Sequence, residues 1–198
     1  TVKRVTQELG GKSPNIIFED ADLESAVTAG VNHMMGNTGQ SCNAPSRMLV
    51  HSSVYDKAVA IAKEAAGNVA VDQPTKEGQH LGPLSSRVQF DKVQGLIEKG
   101  IEEGATLVAG GPGKPKGLET GYFVRPTVFA NVTNEMTIAQ EEIFGPVLSM
   151  IPFETEEQAI QIANDTPYGL SAYFSTTSEE RAARVASQLR AGMVSVNS

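Results

Sequence analysis

Short runs rich in β-branched and aromatic residues alternate with amphipathic helical segments along almost the whole chain. The clearest helix is predicted over residues 23–35, where apolar residues recur three and four positions apart. Asp20 or Asp22 is available to cap its start, and Gly36 can end it. Two parallel strands need a long connection between them, and a helix usually provides it. The alternation therefore predicts an α/β fold with a mainly parallel open sheet and helices on both faces.

The same patterns predict the other elements. Strands are predicted over residues 1–6, 15–18, 47–51, 106–109, 122–130, 147–153, 170–175 and 193–196. Further helices are predicted over residues 53–66, 86–103, 136–142, 155–164 and 177–190. Residues 67–84 contain three glycines and two prolines and are predicted to form a long loop, a type of segment that is often functional.

Composition narrows the classes of partner. The chain has 198 residues and a net charge of −7 with no basic run, so we expect no nucleic acid and no membrane as partner. No apolar stretch approaches the length of a membrane span. A single cysteine excludes an internal disulfide and fits a reducing compartment, so a cytoplasmic location is expected. Both ends lie in strand-like runs and the first residue is not Met, so we expect a piece of a longer protein.

The only cysteine, Cys42, lies in a polar loop at residues 39–47. A free cysteine most often packs as a small hydrophobic residue, and for this residue alone that interpretation is favoured. A thiolate is also a strong nucleophile, however, and Gly39 and Gln40 permit a tight turn that could direct backbone N–H groups toward an oxyanion. Cys42 is therefore a candidate catalytic residue whose assignment depends on other segments.

Two more segments contain groups that thiol chemistry would need. Glu8 precedes Gly10 and a second glycine, where the backbone could approach a ligand closely, and a buried carboxylate there could act as a base. Glu142 and Phe144 precede a Gly-Pro turn, where a carboxylate could bind ribose and an aromatic ring could pack on a flat group. Taken singly, Glu8 is interpreted as a surface carboxylate. The other pair is equally consistent with a ligand site and with a helix end that contains a core phenylalanine.

Several other kinds of site are not indicated. Neither a dinucleotide-binding glycine fingerprint nor a phosphate-binding loop is present, since Thr6 stands where the latter needs its first glycine. The three histidines show no metal-ligand spacing with one another or with the cysteine, so no metal site is expected. His33 is interpreted as a polar residue on a helix, and His80 is the histidine kept as a candidate partner for the thiol.

Together, the motifs occur in the order seen in one family. Glu-Leu-Gly-Gly-Lys at 8–12, Gly-Gln-Ser-Cys at 39–42 and Glu-Glu-Ile-Phe-Gly-Pro at 141–146 resemble the NAD(P)-dependent aldehyde dehydrogenase superfamily. Further similar pairs are Tyr168-Gly169 and Val196-Asn197. The resemblance covers essentially the whole chain, and the ordered set is far more specific than any one motif.

The resemblance implies roles for the residues around the thiol. Cys42 would attack a small aldehyde to give a thiohemiacetal, whose oxyanion would be held by the Cys42 N–H and an asparagine. Hydride transfer would leave a thioester, and Glu8 would activate the water that hydrolyses it. Ser41 and Asn43 would shape the substrate pocket.

The resemblance also implies a cofactor, NAD or NADP. Glu142 would bind the nicotinamide ribose and Phe144 would pack beside the nicotinamide. The backbone at Leu9 and Gly10 would lie nearby.

By this resemblance, residues 1–198 are the catalytic domain, and a dinucleotide-binding domain and a C-terminal oligomerisation segment lie outside them. The parent enzyme would be a homo-oligomer, a dimer or tetramer, and the chain alone is expected to be inactive. Three alternatives stay open: a coenzyme A-acylating aldehyde dehydrogenase, a cysteine hydrolase that pairs Cys42 with His51 or His80, and a non-catalytic assembly fragment.

Overall fold

The computed structural model describes residues 1–198 and contains one seven-stranded sheet. Its strands are β1 (Pro14–Ile17), β2 (Arg47–His51), β3 (Thr106–Ala109), β4 (Thr127–Ala130), β5 (Val147–Phe153), β6 (Ser171–Ser175) and β7 (Met193–Val196). They are arranged in the order β3-β4-β5-β2-β1-β6-β7. Only the β3–β4 pair at one edge is antiparallel, so the predicted mainly parallel sheet is confirmed.

Six helices connect these strands. They are α1 (Leu23–Met35), α2 (Tyr55–Gly67), α3 (Arg87–Glu102), α4 (Thr137–Gln140), α5 (Glu156–Asn164) and α6 (Glu179–Gln188). The start of α1 is capped by Asp22, whose carboxylate accepts a hydrogen bond from the Ser25 N–H, and its C-cap is Gly36. None of the six combines the length and hydropathy needed to cross a bilayer.

The sheet has an apolar core on each face. Neighbouring residues of a strand point to opposite faces, so Ile16 and Ile17 of β1 enter different cores. One core receives side chains of α1 and α2, such as Val27 and Ala58. The other receives side chains of α3, α5 and α6, such as Ile97. Helices therefore cover both faces, as predicted.

The strand predicted over residues 1–6 is wrong for this structure. Residues 1–13 form no helix or strand, and Val2 and Val5 are 102% and 79% exposed. Alternating β-branched residues can form a strand only beside a neighbour that accepts their backbone hydrogen bonds, and residues 1–10 make no such bond. The strand predicted over residues 122–130 is also shorter than expected, since only Thr127–Ala130 pair.

The register of the central strands determines where the loops lie. Pro14 of β1 aligns with Arg47 of β2, which aligns with Ser149 near the start of β5. Because these strands are parallel, the segments that precede them meet at the end of the sheet where the strands begin. This end is here called the amino edge. The segment ending at residue 13, the cysteine loop and the 141–146 segment all precede one of these strands.

The opposite edge of the sheet contains an ionic cluster around Asp20, which follows β1. Its carboxylate accepts hydrogen bonds from the Thr176 hydroxyl at 2.7 Å, the Thr177 N–H at 2.9 Å and the Arg181 guanidinium at 2.8 Å. Partial burial alone would raise the pKa of Asp20, but these hydrogen bonds and the positive charge of Arg181 outweigh it and lower the pKa to about 2.

We expect Asp20→Asn to lower the free energy of unfolding by about 1 kcal/mol at neutral pH, since solvent reaches this cluster. A lowered carboxyl pKa contributes stability above the unfolded value of 3.8, and this contribution is lost as pH falls through about 2. Urea unfolding should therefore show a smaller difference in the free energy of unfolding between wild type and Asp20→Asn at pH 2 than at pH 7. Asp91→Asn, at an exposed position on α3, is the matched control. Equal effects of the two substitutions would contradict the prediction.

Candidate active site

The Gly10–Gly11 backbone lies between the glutamate segment and the cysteine loop. The Gly11 N–H donates a hydrogen bond of 2.9 Å to Glu142 Oε1. A β-carbon on Gly10 would overlap the Glu142 carboxylate, and one on Gly11 would overlap the carbonyl oxygen of Cys42. The structure therefore brings together three segments that are up to 131 positions apart in sequence, and only glycine permits the contact.

The cysteine loop presents an exposed thiol on a constrained turn. Cys42 is exposed, and a 3₁₀ turn at Gly36–Gly39 precedes it. Thr38 and Gly39 have φ angles of 58° and 67°, in the left-handed region. A β-carbon on Gly39 would overlap the carbonyl of Gly145, so the turn packs directly on the Gly-Pro segment before β5.

The loop predicted at residues 67–84 is confirmed over residues 68–84, apart from one isolated bridge, since Gly67 still belongs to α2. It supports the cysteine loop from the side. The Thr38 hydroxyl donates to the Gly82 carbonyl at 3.2 Å. The Ser85 N–H, just beyond the long loop, donates to the side-chain oxygen of Gln40 at 2.9 Å. The turn that carries the thiol is therefore held by the Gly-Pro segment on one side and by the end of the long loop on the other.

Helix α3 holds the segment that contains Glu142 and Phe144. The side-chain amide of Gln89 donates to the carbonyls of Ile143 and Phe144, both at 2.9 Å, and Lys92 donates to the Glu142 carbonyl at 2.7 Å. These bonds hold Phe144 at a φ of 56°. The Phe144 side chain is half-buried.

A small cavity shows how the predicted residues meet. Its lining includes Gly11, Ser41, Glu142 and Phe144, which come from all three motif segments. One oxygen of the Glu142 carboxylate is occupied by the Gly11 N–H, while Oε2 accepts no hydrogen bond. That oxygen lies close to Gly10 and has no hydrogen-bond donor.

Glu8 and Leu9 stand apart from this packed centre. Both side chains are exposed, Leu9 by 57%, and the Glu8 carboxylate makes no hydrogen bond or salt bridge. The structure places Glu8 two residues before Gly10 but joins its carboxylate to no other group. Its role as a base therefore stays a prediction.

Sequence reasoning missed Tyr173 of β6. Its hydroxyl donates to the carbonyl of Asn43, next to the thiol, at 3.1 Å. Partial burial, together with nearby Cys42, raises the pKa of Tyr173. The His33 ring packs edge-on against Tyr173 at 5.0 Å, so this histidine supports the wall of the site through an aromatic contact. Only the pairing of β6 with β1 brings Tyr173 here, and no local motif indicates it.

Two buried cations directly behind the site were also missed. Lys12 is 1% exposed, and its Nζ has no hydrogen-bond partner. Burial, then the charge of Arg47, lowers the pKa of Lys12 to about 7. Arg47 is fully buried and donates to the carbonyls of Lys12, Ile162 and Ala163 at 2.9, 2.9 and 2.8 Å. A lysine in a glycine motif and an arginine at a strand start look like ordinary surface residues in sequence.

The histidines that a cysteine hydrolase would need are bonded elsewhere. His51 ends β2, at the far edge of the sheet, and shares a 2.8 Å hydrogen bond with Ser53. His80 bonds the Lys76 carbonyl, within its own loop, at 3.0 Å. Neither hydrogen-bonds to Cys42, which counts against the hydrolase alternative.

Comparison with known proteins places this geometry in a family. The family model described as "Aldehyde dehydrogenase family" matches residues 1–198. A 3-succinoylsemialdehyde-pyridine dehydrogenase from a Pseudomonas species is 56% identical over 197 residues, which is all of this chain and 41% of that protein. The chain thus spans about two fifths of the length of its curated relatives.

Solved structures lead to the same family. An aldehyde dehydrogenase from Bartonella henselae matches 99% of the chain and 41% of its own, with a TM-score of 0.96 and 55% identity. A mutant of aldehyde dehydrogenase C from Pseudomonas syringae, solved with NAD+ and octanal, matches 100% of the chain and 41% of its own, with a TM-score of 0.96 and 50% identity. The predicted fold class and resemblance are confirmed. The chain belongs to the aldehyde dehydrogenase family.

Proposed function

We propose that residues 1–198 are the catalytic domain of an NAD(P)-dependent aldehyde dehydrogenase that oxidises a small aldehyde to a carboxylic acid. The observation that carries the proposal is the contact of the Gly10–Gly11 backbone with Glu142 on one side and Cys42 on the other. The Pseudomonas syringae relative was solved with NAD+ and an aldehyde, which supports the same ligands here.

Cys42 is the nucleophile in this proposal. Its exposed Sγ forms a bond to the aldehyde carbon, and the Cys42 N–H donates to the resulting oxyanion. The tightly held turn at residues 36–39 keeps that N–H in place. Ser41 and Asn43 flank the thiol and shape the pocket, and Tyr173 fixes the Asn43 carbonyl.

Glu142 is the residue that would hold the cofactor. Its free Oε2 suits a ribose hydroxyl, and its other oxygen is already fixed by Gly11. Phe144 offers a half-buried ring beside it, and Gly10 lies against the Glu142 carboxylate. The Leu9 and Gly10 backbone would therefore lie near the nicotinamide. When bound, NAD(P)+ supplies the hydride acceptor, after which the acyl group stays on Cys42 as a thioester.

Glu8 activates the water that hydrolyses this thioester. We expect Glu8→Gln in the full-length enzyme to leave a burst of one NADH per active site and to slow the following steady state roughly 100-fold. Rapid-mixing absorbance would measure both phases. Glu77→Gln, an exposed glutamate in the long loop, is the matched control. Loss of the burst itself would contradict a role confined to hydrolysis.

The product separates the proposal from a coenzyme A-acylating enzyme. A free carboxylic acid formed in the presence of coenzyme A supports hydrolysis, whereas an acyl-coenzyme A product refutes it.

The assembly is part of the same proposal. The dinucleotide-binding domain and oligomerisation segment would lie outside residues 1–198, and the full-length enzyme would be a homodimer or homotetramer. β7 is an edge strand on which Met193 and Val196 are 47% and 38% exposed, which fits pairing with another strand.

NAD(P) reduction by residues 1–198 alone would contradict the expected inactivity of this piece. A cytoplasmic location stays a prediction.

A further inference from the structure

Arg47 forms an unusual buried contact behind the candidate site. Its guanidinium is fully buried, forms no salt bridge and donates to three backbone carbonyls. Two of these carbonyls, of Ile162 and Ala163, belong to the last turn of α5, which bears partial negative charge. The Ile162 carbonyl also accepts the Asp165 N–H at 3.3 Å. The third belongs to Lys12. One rigid side chain therefore joins the end of α5 to the segment that precedes β1.

The contacts of that segment continue to the proposed cofactor site. Lys12 accepts the Arg47 bond through its carbonyl at 2.9 Å, and the neighbouring Gly11 donates its N–H to Glu142 Oε1 at 2.9 Å. Gly11 also packs against the carbonyl of Cys42. A shift of the Gly11–Lys12 backbone would therefore first move the Gly11 N–H that supports the Glu142 carboxylate.

We propose that Arg47 is a positioning residue for cofactor binding, which acts through the Lys12 carbonyl and the Gly11 N–H to fix the Glu142 carboxylate. The proposal rests on the proposed function, in which Glu142 holds the cofactor ribose. Arg47 itself touches no ligand, since it is fully buried. Its planar fork matters because a lysine ammonium cannot reach three carbonyls in this fixed arrangement.

The first test is Arg47→Lys in the full-length enzyme. We expect the KM for NAD+ to rise about tenfold, while kcat changes less and the KM for the aldehyde stays within about twofold, because small misplacements of a binding group are costly. Arg181→Lys is the matched control, since Arg181 is also a multiply bonded arginine but lies in the Asp20 cluster at the opposite edge. It should lower stability and leave the KM for NAD+ unchanged. An unchanged KM in Arg47→Lys, or an equal rise in both variants, would overturn the proposal.

The second test asks whether Arg47 acts through Glu142. In a Glu142→Gln background, adding Arg47→Lys should weaken NAD+ binding by less than about twofold further, since the group it positions is already altered. Calorimetric titration with NAD+ of the four proteins in the cycle measures this coupling. Fully additive effects would refute an action through Glu142.

Hydrogen exchange of the full-length protein tests the link without any activity. Arg47→Lys should speed exchange of the Gly11 amide, whereas Arg181→Lys should not. Equal exchange rates of this amide in the two variants would refute the positioning role, even if aldehyde oxidation is confirmed. Failure to oxidise any aldehyde with NAD(P)+, with fast Gly11 exchange in Arg47→Lys, would instead refute the proposed function.

If Arg47→Lys does not fold, hydrogen exchange of the wild-type protein with and without NAD+ tests the same proposal. NAD+ should then slow exchange at the end of α5, residues 160–166, as well as at residues 9–17, because Arg47 joins the two. Slower exchange at 9–17 alone would overturn the proposal.

Discussion

Replacing Cys42 with alanine in the full-length enzyme should lower the rate of NAD(P)-dependent aldehyde oxidation by at least about 1,000-fold. The reason is that the covalent path needs a nucleophile that is strong near neutral pH, and Cys42 is the only thiol in the chain. The exposed loop supplies the access that an aldehyde requires. Steady-state NADH absorbance measures the rate, and calorimetry should show NAD+ binding within about twofold of wild type.

The control for this experiment is Ser187→Ala, at an exposed position on α6, which should keep the full rate. Cys42→Ser should also lose most activity, because a serine hydroxyl is almost entirely protonated at neutral pH. A Cys42→Ala enzyme that retains a tenth of the wild-type rate would show that another group attacks the aldehyde. The assignment of the thiol would then be wrong.

The second large effect is expected on stability, from Lys12→Met. Lys12 is buried without a hydrogen-bond partner for its Nζ, and burial, then Arg47, lowers its pKa from 10.5 to about 7. Glu142 offsets part of this cost. Keeping the amine charged at pH 6 therefore costs on the order of 4 kcal/mol. We expect Lys12→Met, of similar shape, to raise the free energy of unfolding at pH 6 by a large part of that amount.

The lowered pKa of Lys12 also predicts how the effect of Lys12→Met on stability changes with pH. Between about pH 7 and pH 10.5 the unfolded state binds more protons at Lys12 than the folded state, so this residue makes stability rise with pH. The advantage of Lys12→Met should therefore shrink between pH 6 and pH 9.5 in urea unfolding of the 198-residue chain. Lys57→Met, at an exposed position on α2, should leave the slope unchanged. A gain that is the same at both pH values would show that Lys12 is not a buried titrating amine.

Much of the fold could be predicted because its signals are local. The helix at residues 23–35 repeats apolar residues at helical spacing and is capped by Asp22, and both features operate within a few residues. The strand at residues 147–153 is an apolar run, interrupted only by Ser149, that is almost entirely buried. The strand predicted at residues 1–6 failed because a strand also needs a partner, and local pattern says nothing about that partner.

The location of the site is a tertiary property. Ligands of open α/β sheets commonly bind outside the carboxyl ends of the strands. Here the three motif segments precede their strands, so they gather at the amino edge. The register of Pro14 with Arg47 and of Arg47 with Ser149 produces that meeting, and neither register can be read from one segment.

The sequence by itself determined the fold class, the order of the elements and the family, because spacing, caps and ordered motifs lie along the chain. Only the tertiary structure decided which residues surround the thiol and Glu142. The Gly11–Glu142 bond spans 131 positions, Tyr173–Asn43 130 and Arg47–Ala163 116. Such bonds depend on the sheet that brings distant loops to one edge. The lysine and arginine behind the site therefore became recognisable only when their burial and partners were known.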